Sequence, residues 1–338
     1  MKALRVVKPT LRSPRCEAHG VKLKQSGAAL LLAMVIVSLI TTVAAGMVWL
    51  QTRAVQVEAA ERARAQAGWI LSGALDWARL ILREDERGSR QRGKAFDSLD
   101  EPWATPLAEA RLSTFLAVDK DNNADGGPDA FISGSIVDAQ SRFNLRGLVD
   151  VAGKAQPLQV AALQRLANLA GAPGDTAARL ADLLGQAYAP TGTEGPRGAP
   201  IRPAQLADLA WLGIEAATLE RLAPWVCLLP LATPVNANTA PREVLVAAID
   251  GLDLGTAERL VQARQRKPFE SLAEIQAQLP ASVVAEGARV GVASSWFEVS
   301  GRLRLEDRVL EERSLLQRDS DKVTVRRRER HSFTASAR

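Results

Sequence analysis

An uncharged apolar run near the N-terminus constrains this 338-residue chain more than any other feature. The run extends from Ala28 to Leu50 and contains no Asp, Glu, Lys or Arg. It is long enough to cross a hydrocarbon layer of about 30 Å as a helix. Because lipid offers the backbone no hydrogen bonds, a single span is expected to be helical. The sequence therefore predicts one transmembrane helix over residues 28–50.

The apolar pattern continues beyond this run at helical spacing, in alternating steps of four and three residues. It predicts one helix from Ala28 to about Leu82, with residues 83–103 leaving the helix. The second half of this helix should place an amphipathic stripe against a folded domain. The residues of the stripe are Ala59, Ala63, Ala67, Ile70, Ala74, Trp77 and Ile81.

Basic side chains dominate the segment before the apolar run. The segment has a single acidic residue, Glu17. Its seven basic residues are Lys2, Arg5, Lys8, Arg12, Arg15, Lys22 and Lys24. Since positive residues beside a span stay in the cytoplasm, the bulk of the chain is expected on the other side of the membrane. The alternative is a secretory signal peptide cut near Val43–Ala45. The length of the apolar run and the stripe that continues in phase beyond it favour a retained helix.

The leader ends in Ser26-Gly27, directly before the apolar helix. This arrangement resembles the N-terminus of type IV prepilins and pseudopilins. The resemblance implies that a prepilin peptidase cuts between Gly27 and Ala28 and methylates the new N-terminus. That family usually has Glu at the fifth mature position, where this chain has Leu32. Leu32 makes the chain similar to the K-type minor pseudopilin of type II secretion systems, and the resemblance makes it the tip-defining position.

Residues 235–280 give a second resemblance, to helix-hairpin-helix modules. Asn238 or Thr239 is expected to cap a first helix, and a turn at Gly251 should lead to a second. Such a hairpin binds DNA when bare backbone N–H groups at the second helix start meet a phosphate. Asp253 places a carboxylate there, which repels phosphate. A compact packing unit is therefore favoured, and nucleic acid is not expected as a partner.

Sequences on both sides of this block predict one antiparallel sheet. Residues 131–149 resemble a K-family segment through Asp138, Phe143, Asn144 and Leu145, and residues 297–305 alternate between apolar and polar side chains. Trp103, within a Glu-Pro-Trp-Ala segment that also resembles the family, should fill the junction of helix and sheet.

The predicted fold class is α+β. A long N-terminal transmembrane and amphipathic helix packs on an antiparallel sheet, which is the pseudopilin fold. A large all-α domain with helix-hairpin-helix or SAM-like units is inserted. The predicted domains are a leader (1–27), a transmembrane helix (28–50), the pseudopilin helix and first strands (51–148), the inserted helical domain (149–290), C-terminal strands (291–328) and a disordered basic tail (329–338).

A polar loop gives the chain a candidate calcium site. Asp121, Asn123, Asp125 and Asp129 alternate with other residues around a Gly, as oxygen ligands do in a calcium loop. The twelfth position is Ile132, where an acid is expected, and a polar surface turn is the alternative. K-type relatives carry an acidic calcium-binding run farther along, of which Asp182 and Glu194 remain here.

The sequence offers little for catalysis. Its two histidines, His19 and His331, lie in the leader and the tail, so a His-based triad or zinc motif cannot be assembled in the predicted domains. Cys16 would leave with the leader, which makes Cys227 a single thiol, expected to be a buried apolar residue.

The resemblance implies a non-enzymatic minor pseudopilin at the tip of the secretion pseudopilus. It would support pseudopilus assembly and the export of folded proteins. The implied partners are the I- and J-type minor pseudopilins, the prepilin peptidase and the inner-membrane assembly platform, and the implied location is the inner membrane with the bulk in the periplasm. The alternatives are a membrane-anchored DNA-uptake module and a K-like minor pilin of a type IV pilus.

Processing gives the first prediction. Mass spectrometry of the protein from its native host should find an N-terminus at Ala28, because the small Gly27 gives the peptidase access to the bond. Gly27→Leu should leave the precursor uncut, whereas the control Gly20→Leu should not. An N-terminus at Gly46 would instead identify a secretory signal.

Overall fold

A computed structural model describes residues 26–112, 130–189, 200–305 and 308–334. The chain divides into two compact units, Met1–Ala63 and Arg64–Arg338. The described part of the first unit is helical throughout. It belongs to helix α1, Ser26–Gln91, whose last 28 residues (64–91) lie in the second unit.

Helix α1 continues to Gln91 instead of ending near Leu82, so the expectation that residues 83–91 leave the helix is wrong. Ion pairs one turn apart stabilise this polar extension: Arg87–Glu84 at 2.9 Å and Arg90–Glu86 at 2.8 Å. The helix ends where Gly93 takes a positive φ of 68°, a conformation that Gly adopts without a Cβ penalty.

The buried face of α1 in the second unit is offset from the predicted stripe. Its buried apolar side chains are Ala67, Leu71, Leu75, Ala78 and Leu82. Ile70, Ala74 and Ile81 flank this face, and Trp77 is 47% exposed. Two stripes of helical spacing overlap in this sequence. The one rich in leucine faces the sheet, where it removes more apolar surface from water.

The second unit contains the predicted antiparallel sheet, which has five strands. The strands are β1 Leu107–Arg111, β2 Ala130–Asp138, β7 Trp296–Leu305, β8 Arg308–Asp319 and β9 Lys322–Thr334. Their order across the sheet is β1-β2-β7-β8-β9. Strand β1 was not predicted, since its five residues show no clear alternation.

Strand β9 overturns the prediction of a disordered basic tail for residues 329–334, and residues 335–338 of that predicted tail lie outside the described part of the chain. Arg328 and Arg330 both pair with Glu312 on the neighbouring strand β8, and Arg327 pairs with Glu329 within β9. Main-chain pairing continues to Thr334, opposite Arg308. Opposite charges on adjacent strands stabilise a sheet, so the basic run becomes strand instead of solvated tail.

A helical domain lies between β2 and β7. Its elements are β3 Phe143–Asn144, α2 Pro157–Leu169, α3 Thr176–Tyr188, α4 Ala216–Leu222, β4 Val226–Cys227, β5 Val235–Asn236, α5 Arg242–Ala248, α6 Leu254–Arg266, α7 Leu272–Ala277 and β6 Val290–Gly291. The short strands pair in parallel, β3 with β4 and β5 with β6. One apolar core unites the helices through side chains that include Leu163, Leu180, Leu222, Leu245, Leu260 and Ile275.

Apolar side chains pack on both faces of the sheet, over one end of the second face. On one face, Leu75, Ala78 and Leu82 of α1 form a cluster with Trp103 and Phe297, whose rings lie 5.2 Å apart in an edge arrangement. This confirms the predicted position of Trp103. On the other face, Trp296 and Leu315 pack against side chains of the helical domain: Ala139, Cys227 and Leu229.

Candidate functional site

The apolar half of α1 presents exposed side chains along its whole length, from Ala28 to Leu50. Its hydroxyl groups are satisfied within the helix. Ser38 Oγ donates to Val35 O at 3.0 Å, and Thr41 and Thr42 donate to carbonyls three residues back at 2.9 Å. These bonds let the polar side chains enter a medium without water. Among the described residues, α1 is long and apolar enough to cross a membrane, by length and composition.

The residues of the predicted cleavage site lie in this helix. α1 begins at Ser26, so Gly27 and Ala28 are in its first turn. Leu32 follows one turn later and is 62% exposed, surrounded in sequence by uncharged residues. The position that carries Glu in most of the resembled family is therefore an uncharged surface on the apolar helix.

The predicted calcium ligands Asp121, Asn123, Asp125 and Asp129 lie outside the described residues. Glu194 also lies outside them. Asp182 is described, on helix α3, where its carboxylate accepts a hydrogen bond from Gln186 at 3.0 Å.

The buried Asp138 carboxylate joins the sheet to the helical domain. It ends strand β2 and is 1% exposed. Oδ1 accepts from Gln140 N at 2.8 Å. Oδ2 accepts from Asn236 Nδ2 at 3.0 Å, Thr239 Oγ1 at 2.6 Å and Ser294 Oγ at 2.6 Å. Burial raises the pKa of Asp138, and these hydrogen bonds oppose that effect.

A second buried group, Arg318 on β8, lies beside this cluster. Its guanidinium hydrogen-bonds to Asp97, contacts Asp85 Oδ2 at 3.2 Å and Glu86 Oε2 at 3.4 Å, and lies 4.7 Å from the centre of the Phe297 ring. Asp97 also accepts from Ser294 N at 2.7 Å. Because Ser294 bonds both Asp97 and Asp138, the two clusters form one network, which we call the buried junction.

Asp85, Asp97 and Glu101 lie close enough for their oxygens to converge within 4.8 Å. Burial raises the pKa of Asp97 to about 6, against the opposing effect of Arg318, and burial followed by the charge of Glu101 raises the pKa of Asp85. Cations already bind this cluster: Arg318 contacts both aspartates, and Lys94 pairs with Glu101. The arrangement is a network of buried ion pairs.

The structure explains the family-like segments in physical terms. Asn144 donates from Nδ2 to Leu231 O at 2.7 Å and accepts at Oδ1 from Leu229 N at 3.2 Å, which holds β3 to the segment that follows β4. Glu101 accepts from the indole N–H of Trp103 at 2.7 Å. The Glu101 carboxylate thus satisfies the buried indole N–H of Trp103, which gives a physical reason for the two residues to occur together.

Asn238 and Thr239 do not cap a helix, contrary to the prediction; Pro241 occupies the cap position of α5. Both are buried. Asn238 exchanges two hydrogen bonds of 2.9 Å with the backbone of Phe269, and Thr239 bonds Asp138. Their side chains satisfy buried partners between segments, which a capping pattern in sequence does not reveal.

Asp253 occupies the hairpin position where a DNA phosphate would bind. It caps α6, accepting from Thr256 N at 2.9 Å and Thr256 Oγ1 at 2.6 Å. These hydrogen bonds lower the pKa of Asp253, which keeps the carboxylate ionised at the helix N-terminus. The helix start therefore already holds an anion, as the sequence indicates.

Cys227 is a free, buried thiol, as predicted. Its Sγ donates to Ala139 O at 3.3 Å, and burial raises its pKa to about 12. The neutral thiol is a packing residue between sheet and helical domain, since nucleophilic chemistry needs the thiolate.

The class of protein follows from this architecture. An exposed apolar helix continues as an amphipathic helix that packs on an antiparallel sheet. A helical domain is inserted between two strands of this sheet and is anchored through the buried junction. This is the pseudopilin fold with a large insertion, as the sequence predicts.

Comparisons with known proteins identify the family. Models described as type II secretion system protein K match residues 141–231 and 235–298. The type II secretion system protein K of Pseudomonas aeruginosa is 31% identical over 328 residues, covering 90% of this chain and 92% of the relative. That of Pectobacterium carotovorum is 29% identical, covering 90% and 96%. The chain belongs to the type II secretion system protein K family and is a minor pseudopilin of that system.

A solved structure shares the fold. A chain in the crystal structure of the GspK-GspI-GspJ complex from enterotoxigenic Escherichia coli superposes with a TM-score of 0.60 at 21% identity. The match covers 80% of this chain and 98% of that one.

The buried junction predicts a pH dependence of stability. The pKa of Asp97 is raised in the folded chain from 3.8 to about 6, so folded protein binds more protons than unfolded protein between about pH 4 and pH 6. The contribution of Asp97 to the free energy of unfolding should therefore fall as pH rises through this window, by about 3 kcal/mol. Protonation of Asp97 does not leave Arg318 without a counter-ion, because Arg318 still pairs with Asp85 and Glu86.

Chemical denaturation of the full chain in detergent at several pH values should measure this effect. The stability of the wild type relative to Asp97→Asn should fall from pH 4 to pH 7, with the exposed Asp100→Asn as the control for the substitution. A relative stability that rises with pH would show that the ion pair with Arg318 outweighs burial.

Proposed function

We propose that this minor pseudopilin caps the tip of the type II secretion pseudopilus and supports its assembly and the export of folded proteins. The observation that carries the proposal is Leu32, exposed and uncharged at the fifth mature position. In most of the resembled family, Glu at this position pairs with the N-terminal amine of the neighbouring subunit on the tip side. A subunit with no neighbour on that side has no amine to pair with, so a carboxylate would gain nothing there.

The energetics favour Leu at such a position. A carboxylate costs about 2.5–3.5 kcal/mol at the centre of a bilayer unless it finds a partner. Leu is instead favourable in lipid by a few tenths of a kcal/mol, about 0.3–0.6. Leu32 therefore removes a charge that only a shaft subunit can satisfy.

We infer that the partners are I- and J-type minor pseudopilins. The support is the solved relative, which was crystallised as a GspK-GspI-GspJ complex and shares the fold of this chain. The prepilin peptidase and the inner-membrane assembly platform join them as proposed partners, because the chain has a prepilin-like leader before Ala28.

The proposed location is the inner membrane, with the folded unit Arg64–Arg338 in the periplasm. Basic residues before the apolar helix keep the N-terminus cytoplasmic under the positive-inside rule. Cys227 is a free, buried thiol, so the fold does not depend on a disulfide bond in that compartment.

We also propose that the role is structural and not catalytic. The carboxylates of the buried junction are already taken up by neutral donors around Asp138 and by the ion pair of Asp97 with Arg318. The DNA-uptake alternative is not favoured, since Asp253 occupies the phosphate-binding position and the comparisons support the secretion family.

The tip position predicts a specific pattern for two substitutions. Leu32→Glu and the matched control Leu31→Glu each add one carboxylate to an exposed position of the same helix. At the tip neither finds an amine, so both should lower the yield of membrane-extracted minor-pseudopilin complexes to a similar extent. A shaft subunit would tolerate or gain from Leu32→Glu while losing from Leu31→Glu, and that split would contradict the proposal.

Gold labelling of assembled pseudopili gives an independent measurement of position. Label on an exposed site of the periplasmic unit should appear once per pseudopilus, at one end. Label distributed along the shaft would rule out a capping role whatever the substitutions show.

Calcium binding remains a proposal for the loop of Asp121, Asn123, Asp125 and Asp129. Millimolar calcium should raise the melting temperature of the full chain in detergent, because a ligand that binds only the folded state stabilises it by mass action. Asp121→Ala with Asp125→Ala should abolish the shift, whereas Asp100→Ala with Asp319→Ala should retain it. No shift in the wild-type chain would refute the site.

A further inference from the structure

The outer edge of strand β9 has no neighbouring strand among the described residues. β9 is the last strand of the five-stranded sheet and pairs with β8 on its inner side. Its segment from Arg326 to Phe333 is mostly exposed, and only Arg327 and Glu329 are partly buried there. An edge strand of this kind presents a row of main-chain N–H and C=O groups to which another chain can pair.

The alternation of main-chain groups in the sheet shows which residues of β9 point outward. Arg318 of β8 donates its main-chain N–H to Ser295 O, just before β7. In an antiparallel sheet, both main-chain groups of a residue point to the same side, and successive residues alternate. Ser314, Glu312 and Leu310 of β8 therefore also point toward β7, so their partners on β9 point away from β8. Those partners are Arg328, Arg330 and Ser332.

A β-bulge separates this outward segment from an edge that is already occupied. The register between β8 and β9 shifts once, which leaves Arg326 as the extra residue of the bulge. Before the bulge, Val323 O accepts from the Arg79 guanidinium of α1 at 3.0 and 3.1 Å. After the bulge, no hydrogen bond between described residues reaches the outward main chain of residues 328–332. We call these five residues the free edge.

An excess of positive charge surrounds the free edge. Residues 326–330 contain four arginines and one acid, Glu329. Arg328 and Arg330 share one buried carboxylate, Glu312 of β8, at 3.3 and 2.5 Å. The other two arginines pair with Glu329 and with a neutral side-chain amide. Four guanidinium groups thus have two carboxylates between them, so the free edge attracts a negatively charged segment.

The same charge disfavours a second copy of this chain as the occupant. Two free edges in antiparallel pairing would place guanidinium groups opposite one another, and like charges directly opposite destabilise a sheet. An acidic strand would instead bring carboxylates to Arg328 and Arg330, which have one carboxylate between them. Charge complementarity therefore selects an acidic partner.

We propose that the free edge binds an extended, acidic segment of a partner protein, which adds to the sheet as one more antiparallel strand. Main-chain hydrogen bonds to Arg328, Arg330 and Ser332 hold the segment. Residues that exchange both hydrogen bonds lie directly opposite each other, with their side chains on the same face. Acidic side chains at alternate positions of the segment therefore meet Arg328 and Arg330.

Synthetic peptides test the proposal on the full chain in a non-ionic detergent. The probe is a fluorescently labelled peptide of about ten alternating Glu and Val residues, the length of an ordinary strand. Fluorescence anisotropy should show saturable binding, which added salt should weaken because exposed charges are screened. The matched peptide with Lys in place of Glu should not bind.

N-methylated peptides separate strand addition from simple charge attraction. Methylation of the Glu nitrogens removes the N–H groups that donate to the free edge, so it should lower the affinity at least tenfold. Methylation of the Val nitrogens blocks the opposite edge of the peptide and should leave the affinity unchanged. The two peptides have the same charge and composition, so a difference between them reports main-chain pairing.

Variants of the chain assign the binding to the free edge. Ser332→Pro removes one outward N–H and keeps the ladder with β8, since proline is tolerated where an edge N–H faces solvent. It should lower the affinity at least tenfold, whereas Ser332→Ala keeps the N–H and should bind like the wild type. Arg328→Gln should weaken binding severalfold, and Arg302→Gln, at an exposed arginine on β7, should not.

Several results would overturn the proposal. If the acidic peptide does not bind, the arginines only protect the edge against aggregation. Equal binding of the Lys peptide, or of the peptide methylated at Glu, would exclude an acidic strand even where Ser332→Pro fails to fold. Undiminished binding by folded Ser332→Pro would place the peptide elsewhere. Self-association in analytical ultracentrifugation that Ser332→Pro abolishes would assign the edge to a second copy of the chain.

Discussion

The hydrogen bonds to Asp138 are the interaction on which the arrangement of the second unit depends. A buried carboxylate is costly unless donors surround it, and here the donors come from segments far apart in sequence. Gln140 lies two residues after Asp138, Asn236 and Thr239 lie about 100 residues later, and Ser294 precedes the return strand β7. Both the start of the helical domain and its end are thereby held at the end of one strand.

The same network reaches the end of the long helix. Ser294 donates its N–H to Asp97 and its hydroxyl to Asp138, and Arg318 links Asp97 to Asp85 on α1. Removing one member would leave its partners buried and unpaired, which costs more than the loss of an exposed bond. One set of mutually dependent polar contacts thus holds together helix α1, strand β8 and the helical domain. The Phe297 ring packs against Arg318 of this network, and Trp103 packs against Phe297.

Much of the architecture was predictable because it rests on periodicity and composition. The uncharged run 28–50 and the alternation of residues 297–305 each have one simple structural solution. The phase of the α1 stripe was not predictable in the same way, because two sets of apolar residues at helical spacing overlap and only packing distinguishes them. The prediction of a tail for residues 329–334 was wrong for a different reason: the arginines of this region look solvated until Glu312 of β8 is placed beside them.

The junction was only partly predictable. Asp138 could be singled out through resemblance, but Asp97 and Arg318 lie 221 residues apart and carry no local pattern. Long-range ion pairs leave no mark on nearby sequence, so a single sequence cannot reveal them. The Asn-Ala-Asn-Thr segment was misread as a helix cap because the same side chains that cap helices also satisfy buried backbone groups.

Two buried arginines in the helical domain show why a charge must be considered with its surroundings. Arg264 donates to the carbonyls of Ala237 and Ala240, and burial lowers its pKa to about 10. It has two acceptors to itself, so its hydrogen bonds hold the loop before α5. Arg289 shares its carbonyl with a second cation and leaves Nε without a partner. Similar burial thus gives one arginine two backbone acceptors of its own and leaves the other with a buried donor that has no hydrogen-bond partner.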